Sequence, residues 1–113
     1  MRVTRDEFRR AALAFPEAAE QETWGHPTFR VRGKMFASGS EESPTMSVKA
    51  SKEDQAELVA SRPETFAVAR YVGRFGWVEV QLPNVDEAEL RELLTDAWRR
   101  TAPKRLVKEL GAP

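Results

Sequence analysis

Six basic residues, several of them close to aromatic residues in the sequence, are the best candidates for ligand-binding residues in this chain. Tyr71 and Phe75 stand next to two of these cations. Arginine and lysine bind phosphate groups, and aromatic rings stack on single-stranded bases, so the combination favours a nucleic acid. The alternative is a solvated sheet face on which arginine stems cover apolar surface. The six residues are Arg30, Arg32, Lys34, Lys49, Arg70 and Arg74.

The formal charge of the chain argues against a strongly basic protein. Its 18 Lys and Arg residues are balanced by 18 Asp and Glu residues. Dedicated nucleic-acid binders usually carry a basic excess or a basic face, so neutrality favours the solvated-face alternative. It still leaves room for a local basic patch if the charges are segregated by face. Low net charge also mildly favours self-association, and we expect a monomer or a weak homodimer.

Residues that could catalyse a reaction or bind a metal are few. His26 is the one histidine, and the chain has no cysteine. An imidazole titrates near neutrality and could act as an acid or base, but no partner for it can be placed from the sequence. A role in the Gly-His-Pro turn is therefore favoured. No phosphate-binding glycine loop and no Gly-x-Ser-x-Gly motif is present, and we predict no enzyme, no metal and no cofactor.

Length and composition predict one domain over residues 1–113. The absence of cysteine is typical of a reducing compartment. No apolar run approaches the roughly 20 residues of a membrane span, and no signal peptide is apparent at the N-terminus. These features predict a cytoplasmic protein without membrane contacts.

The first three candidate cations lie on a predicted β-hairpin. Residues 28–32 alternate between apolar and basic, which puts Phe29 and Val31 on one face and the two arginines on the other. Gly33 and Lys34 predict the tight turn. The returning strand and a third antiparallel strand are predicted over residues 35–38 and 45–49.

Helices are predicted before and after this hairpin. Thr4 and Glu7 match a capping box, and Ser51 can cap a second helix. Asn84 or Asp86 can cap a third, and a short last helix begins near Pro103. A short strand within residues 66–72 and a clear strand over 77–82 lie between the second and third helices. The order α-βββ-α-β(β)-α-α predicts a two-layer α+β sandwich, with helices covering one face of an antiparallel sheet.

Short motifs in a fixed order extend along almost the whole chain. They are Phe15-Pro-Glu17, Trp24-Gly-His-Pro-Thr-Phe29, Gly33-Lys-Met-Phe-Ala37, Ser47-Val-Lys49, Tyr71-Val-Gly73, Gly76-Trp-Val78 and Ala102-Pro-Lys-Arg-Leu106. In this ordered set the chain resembles the MmcQ/YjbR family of small bacterial proteins. The resemblance implies antiparallel strands backed by helices, similar to type III secretion chaperones. It also implies DNA binding by a double-wing arrangement of hairpins, here residues 28–38 and the neighbouring strand, and it implies no catalytic residue.

Two functions remain open on these observations. The first is DNA binding through the basic hairpin face. The alternative is a protein-interaction or chaperone-like module, without nucleic-acid or catalytic activity, that uses a sheet face or an edge strand. Convergence of the six cations on one face favours the first function. Glu22, Glu79 and Gln81 weigh against it if they interleave the cations.

Overall fold

A six-stranded antiparallel sheet with α-helices on one face forms the described part of the protein, as a two-layer α+β fold. The computed structural model describes residues 3–23, 25–39 and 44–110. Trp24, which belongs to one of the motifs above, lies outside these residues. The helices are α1 (Arg5–Leu13), α2 (Lys52–Ser61), α3 (Glu87–Thr101) and α4 (Lys104–Glu109). The strands are β1 (Ala18–Thr23), β2 (His26–Val31), β3 (Lys34–Gly39), β4 (Thr45–Val48), β5 (Phe66–Val68) and β6 (Val78–Gln81).

The sheet order is β1-β2-β3-β4-β6-β5, and every neighbouring pair of strands is antiparallel. Strands β2 and β5 therefore end, and β3 and β6 begin, at the same end of the sheet. The β2–β3 turn and the β5–β6 connection thus share that end, although they lie far apart in the sequence. The α1–β1 connection lies there too, because Ala18 at the start of β1 pairs with Val31 at the end of β2.

The structure adds one strand, β1, to the predicted order. Its sequence, Ala-Ala-Glu-Gln-Glu-Thr, has no apolar alternation, and four of its six residues are exposed. Residues with low β-propensity can still form a strand where a neighbour supplies the hydrogen bonds. Here β2 supplies them, since β1 lies at one edge of the sheet and pairs with β2 over its whole length.

The β2–β3 hairpin turns one residue earlier than predicted. Arg32 and Gly33 both have positive φ, at 52° and 80°, as a two-residue type I′ turn requires. Lys34 consequently begins β3. A bulge follows: Phe29 pairs with Ala37, whereas the next residue of β2 pairs with Met35, so that Phe36 is an extra residue in β3. Both Phe36 and Ala37 are fully buried.

Aromatic side chains join the sheet to the helices. Phe8 of α1 packs on Phe29, with ring centroids 5.7 Å apart. Phe15 stacks on Trp98 of α3 at 5.8 Å and meets the bulge residue Phe36 edge-on at 6.4 Å. The Trp98 indole N–H donates to the carbonyl of Pro16 at 3.1 Å. The end of α3 is therefore fixed beside the α1–β1 connection.

The predicted helix starts are confirmed. The Thr4 hydroxyl accepts from the Glu7 N–H, while the Glu7 carboxylate accepts from the Thr4 N–H, which completes the capping box. Ser51 caps α2, and Asp86 is the residue that caps α3. The strand faces also agree with the pattern, because Val78 and Val80 of β6 are completely buried.

Replacement of Gly76 by alanine is expected to destabilise the protein more than replacement of Gly33. It has φ of 100°, and an added Cβ would lie 2.5 Å from the carbonyl oxygen of Ala50. Gly33 also has positive φ but has open space at that position. We expect Gly33→Ala to lower the free energy of unfolding by about 1 kcal/mol through backbone strain, and Gly76→Ala to lower it by about 3 kcal/mol because a clash is added. Urea denaturation measures both, and equal losses would contradict the packing described here.

Candidate nucleic-acid interface

Most of the candidate cations lie at one end of the sheet. We call it the basic end, defined by the β2–β3 turn at residues 32–33 and the β5–β6 connection at residues 69–77. These two segments are three strand positions apart, which corresponds to about 14 Å. Five of the six predicted residues lie there, and Arg30 lies two residues before the turn. The five are Arg32, Lys34, Lys49, Arg70 and Arg74.

Further cations come to this end from α3 and α4. Helix α3 ends there, because Trp98 bonds to Pro16 and Arg100 reaches Asp54 at the start of α2. Helices α1 and α3 both begin at the opposite end with acidic first turns. The opposite end is thus the more acidic one, although the first turn of α2 also brings Glu53 and Asp54 to the basic end, where Asp54 pairs with Arg100. Helix α4 comes to this end as well, because its last residue, Glu109, lies near Arg32 of the turn. The added cations are Arg99, Arg100, Lys104, Arg105 and Lys108.

Arg30 is held on the open face of the sheet by its own hairpin. Its Nη1 donates to the carbonyl of Gly33 at 3.0 Å, and its Nε donates to the hydroxyl of Thr28 at 3.2 Å. Its Nη2 also donates to the hydroxyl of Thr23 at 3.3 Å. The guanidinium group is therefore positioned before any ligand arrives, and it remains partly exposed.

Arg32 does not share a face with Arg30, contrary to the alternation pattern, because it lies in the turn. Its Nη2 donates to Glu17 Oε2 at 3.0 Å, and its Nε donates to the other carboxylate oxygen. This pairing lowers the pKa of Glu17 and raises the pKa of Arg32, to which nearby Glu109 also contributes. The charge of Arg32 is thus largely compensated within the chain.

The two lysines also lie away from the face of Arg30. Lys34 pairs with buried Val31, so it lies at the margin of the helix-covered face, where it is exposed. Lys49 lines a groove of about 220 Å³ between α2 and α3. Five carboxylate residues line the same groove: Asp54, Glu57, Glu89, Glu92 and Asp96.

The β5–β6 connection combines cations with exposed rings. Tyr71 is 89% exposed and Phe75 is 60% exposed. The guanidinium carbon of Arg74 lies 4.8 Å from the centroid of the Phe75 ring. Arg70 is exposed as well. Arg70 and Arg74 stand next to Tyr71 and Phe75 along this connection, and the sequence from 65 to 78 contains no carboxylate.

Gln55 of α2 holds this connection in place. Its side-chain N–H groups donate to the carbonyls of Gly73 at 2.8 Å and Trp77 at 2.6 Å, and the residue is buried. Sequence reasoning did not identify Gln55. A signal was available, because Gln55 stands at helical spacing from Leu58 and Val59, which pack against the core. A glutamine on the inner face of a helix needs buried partners.

The open face of the sheet is polar rather than basic. Glu79 and Gln81 of β6 pair with Ser47 and Thr45, on the same side of the sheet as Arg30, whereas Glu22 lies on the helix side. Among the described residues, no helix lies against this face. Five of the six cations therefore gather at the end of the sheet, whereas Arg30 lies on its open face, so the convergence on one face that would favour DNA binding is not found.

No metal-binding set assembles in the described ranges, and the one histidine lies apart from the basic end. His26 is exposed at the start of β2, away from the basic end, and no described side chain hydrogen-bonds to it. Within residues 3–23, 25–39 and 44–110, no group of three acidic or histidine side chains could hold a metal ion. Two larger clefts, of about 340 and 440 Å³, involve none of the six cations. None of the described helices has the length and apolarity to cross a membrane.

The fold and the site define a small two-layer α+β domain with an open sheet face and a basic end. The model of the YjbR family matches residues 13–100, and the chain belongs to the YjbR family. Its fold is also similar to that of the Deinococcus radiodurans protein DR2400, a protein of known crystal structure that contains the family-model domain DUF419. That likeness has a TM-score of 0.80 and 25% sequence identity, and it covers 98% of this chain and 90% of the other. No curated protein matches the chain.

Loss of the Gln55 amide is expected to loosen the β5–β6 connection. In Gln55→Leu, two backbone carbonyls lose their donor, which should lower the free energy of unfolding by about 2 kcal/mol. The matched control is Glu57→Gln on the exposed side of the same helix, with a change within about 0.5 kcal/mol. Urea denaturation compares the two variants. A Gln55→Leu protein as stable as the control would contradict the anchoring role.

Proposed function

We propose that this chain is a DNA-binding module that contacts phosphate groups with its basic end. The observation that carries the proposal is the antiparallel topology, which brings the β2–β3 turn and the β5–β6 connection to one end of the sheet. Cations from both segments, and from the end of α3, surround that end. Phosphate contacts supply much of the affinity of such proteins, and cations grouped in this way provide them.

The spacing of the two segments suits a nucleic-acid backbone. Arg74 lies in the β5–β6 connection and Arg30 lies two residues before the β2–β3 turn, and these two segments are about 14 Å apart. One DNA strand advances about 3.4 Å per nucleotide, so this span corresponds to about four phosphates. Arg30 is already fixed by its hairpin, and a fixed guanidinium loses little freedom on binding. The acidic turns at the opposite end would orient the module, because they are repelled by the same polyanion.

A second candidate is the protein-interaction or chaperone-like module, and one observation favours it. Val68, Tyr71 and Phe75 are large hydrophobic residues that stay more than half exposed. Val68 also belongs to β5, an edge strand. Exposed apolar side chains beside an edge can receive a protein segment. A partner that co-purifies after nuclease treatment would support this candidate. Neither candidate gives the chain a catalytic activity.

Charge removal just before the β2–β3 turn and within the β5–β6 connection tests the DNA-binding proposal. We expect Arg30→Ala combined with Arg74→Ala to weaken binding of a short DNA duplex roughly tenfold at low salt, and to reduce the salt slope by about two, because two phosphate contacts are lost. Fluorescence anisotropy over a salt series measures both. Arg91→Ala, exposed on α3 nearer the acidic end, serves as the control. If the unmodified protein binds neither the duplex nor a single strand of the same length, the proposal is rejected.

Release of Arg32 from its partner should strengthen binding. In Glu17→Gln the carboxylate that neutralises Arg32 is removed, so one more cation becomes available to phosphate. We expect a several-fold gain in duplex affinity and a salt slope steeper by about 0.9. Glu20→Gln is the matched control, because it changes the net charge equally and frees Arg9, which lies on α1 rather than at the turn. Equal gains in both variants would mean that overall charge, and not the basic end, decides affinity.

A further inference from the structure

The β5–β6 connection exposes two aromatic rings that the fold does not use. Tyr71 and Phe75 are 89% and 60% exposed. Burying an aromatic ring normally contributes favourably to stability, at roughly 25 cal/mol per Å² of apolar surface. Both rings remain outside the core, although that core accepts the rings of Phe66 and Trp77 from the same part of the chain. The two exposed rings are therefore available to a ligand.

The backbone presents these rings in a fixed arrangement. Gln55 bonds to the carbonyls of Gly73 and Trp77, on either side of Phe75. Gly76 packs so closely on the start of α2 that a Cβ would clash with the Ala50 carbonyl. Tyr71 has φ of 65°, a conformation that costs energy for a residue with a side chain. Such strain persists only where the surrounding structure imposes it, and it is often found at functional sites.

We propose that Tyr71 and Phe75 stack on the unpaired bases of a single-stranded nucleic acid, while Arg70 and Arg74 contact its phosphates. This inference rests on the proposed function and names the form of nucleic acid that the basic end prefers. The flat faces of bases are covered by their neighbours inside a duplex. They become accessible to aromatic side chains only where the bases are unpaired and splayed apart.

Charge around the rings favours this ligand over an apolar protein surface. Two arginines and no carboxylate lie between residues 65 and 78. The guanidinium of Arg74 lies over the ring of Phe75, 4.8 Å from its centroid. In this arrangement the cation and the π surface are presented together, which matches a strand that alternates phosphates and bases. Every base has a π face, so we expect the binding to depend little on sequence.

The test compares a short oligothymidine with a short duplex by fluorescence anisotropy, using the full chain. Tyr71→Ala combined with Phe75→Ala should weaken oligothymidine binding at least roughly tenfold, while duplex affinity stays within about twofold. Alanine keeps the Cβ, so the backbone at residue 71 is equally constrained, and both residues are exposed, so the variant should stay folded. Tyr71→Phe combined with Phe75→Tyr is the conservative control, and it should bind oligothymidine within about twofold of the unmodified protein because the rings are retained.

The outcomes separate this inference from the function on which it rests. If the unmodified protein binds neither oligonucleotide, both proposals fail. If it binds both and the double alanine variant binds them equally well, the stacking role is overturned, while the phosphate contacts of the basic end stand. Phosphatidylglycerol vesicles are the third probe. Vesicle binding that the double alanine variant loses, without any binding of oligothymidine, would overturn the inference in favour of an anionic lipid surface.

Discussion

Antiparallel pairing of every neighbouring strand decides which connections of this chain meet. After β4 the chain crosses through α2 to the outer position of the sheet, and β6 then fills the gap between β4 and β5. The register that pairs Val78 with both Val48 and Val68 sets where β6 begins. The β5–β6 connection consequently lies at the same end as the β2–β3 turn. If β6 paired in parallel with β4, it would begin at the opposite end, and the connection with its aromatic rings would lie there, away from the hairpin.

Local signals in the sequence were sufficient for much of the fold. The capping residues Thr4, Ser51 and Asp86 identify the helix starts, since each side chain accepts a hydrogen bond from a backbone N–H three residues later. Strand β1 could not be predicted from local signals, because a strand at the edge of the sheet does not need an alternating apolar face. The bulge at Phe36 was also hidden, since an extra residue in a strand is visible only when its partner is known.

The candidate site could be predicted by residue type but not by arrangement. A turn that begins at Arg32 instead of Gly33 takes Arg32 out of the strand and makes Lys34 the first residue of β3, opposite buried Val31, which is why Lys34 lies beside the helices. The partner of Arg32, Glu17, is distant in the sequence and meets it only because β1 pairs with β2. The direction in which α3 runs, which decides where its cations lie, likewise follows from tertiary contacts such as that of Trp98 with Pro16.

The outer strands of the sheet have a consequence for how copies of this protein can meet. Strand β1 carries Glu20 and Glu22, and β5 has only three residues. Charged residues and short length are the devices by which sheets avoid adding strands from other molecules. Growth of a continuous sheet from one molecule to the next is therefore disfavoured at both edges. The exposed rings at the basic end thus lie beside a strand that is too short to start a continuous sheet between molecules, although it can still pair with a short segment of a partner.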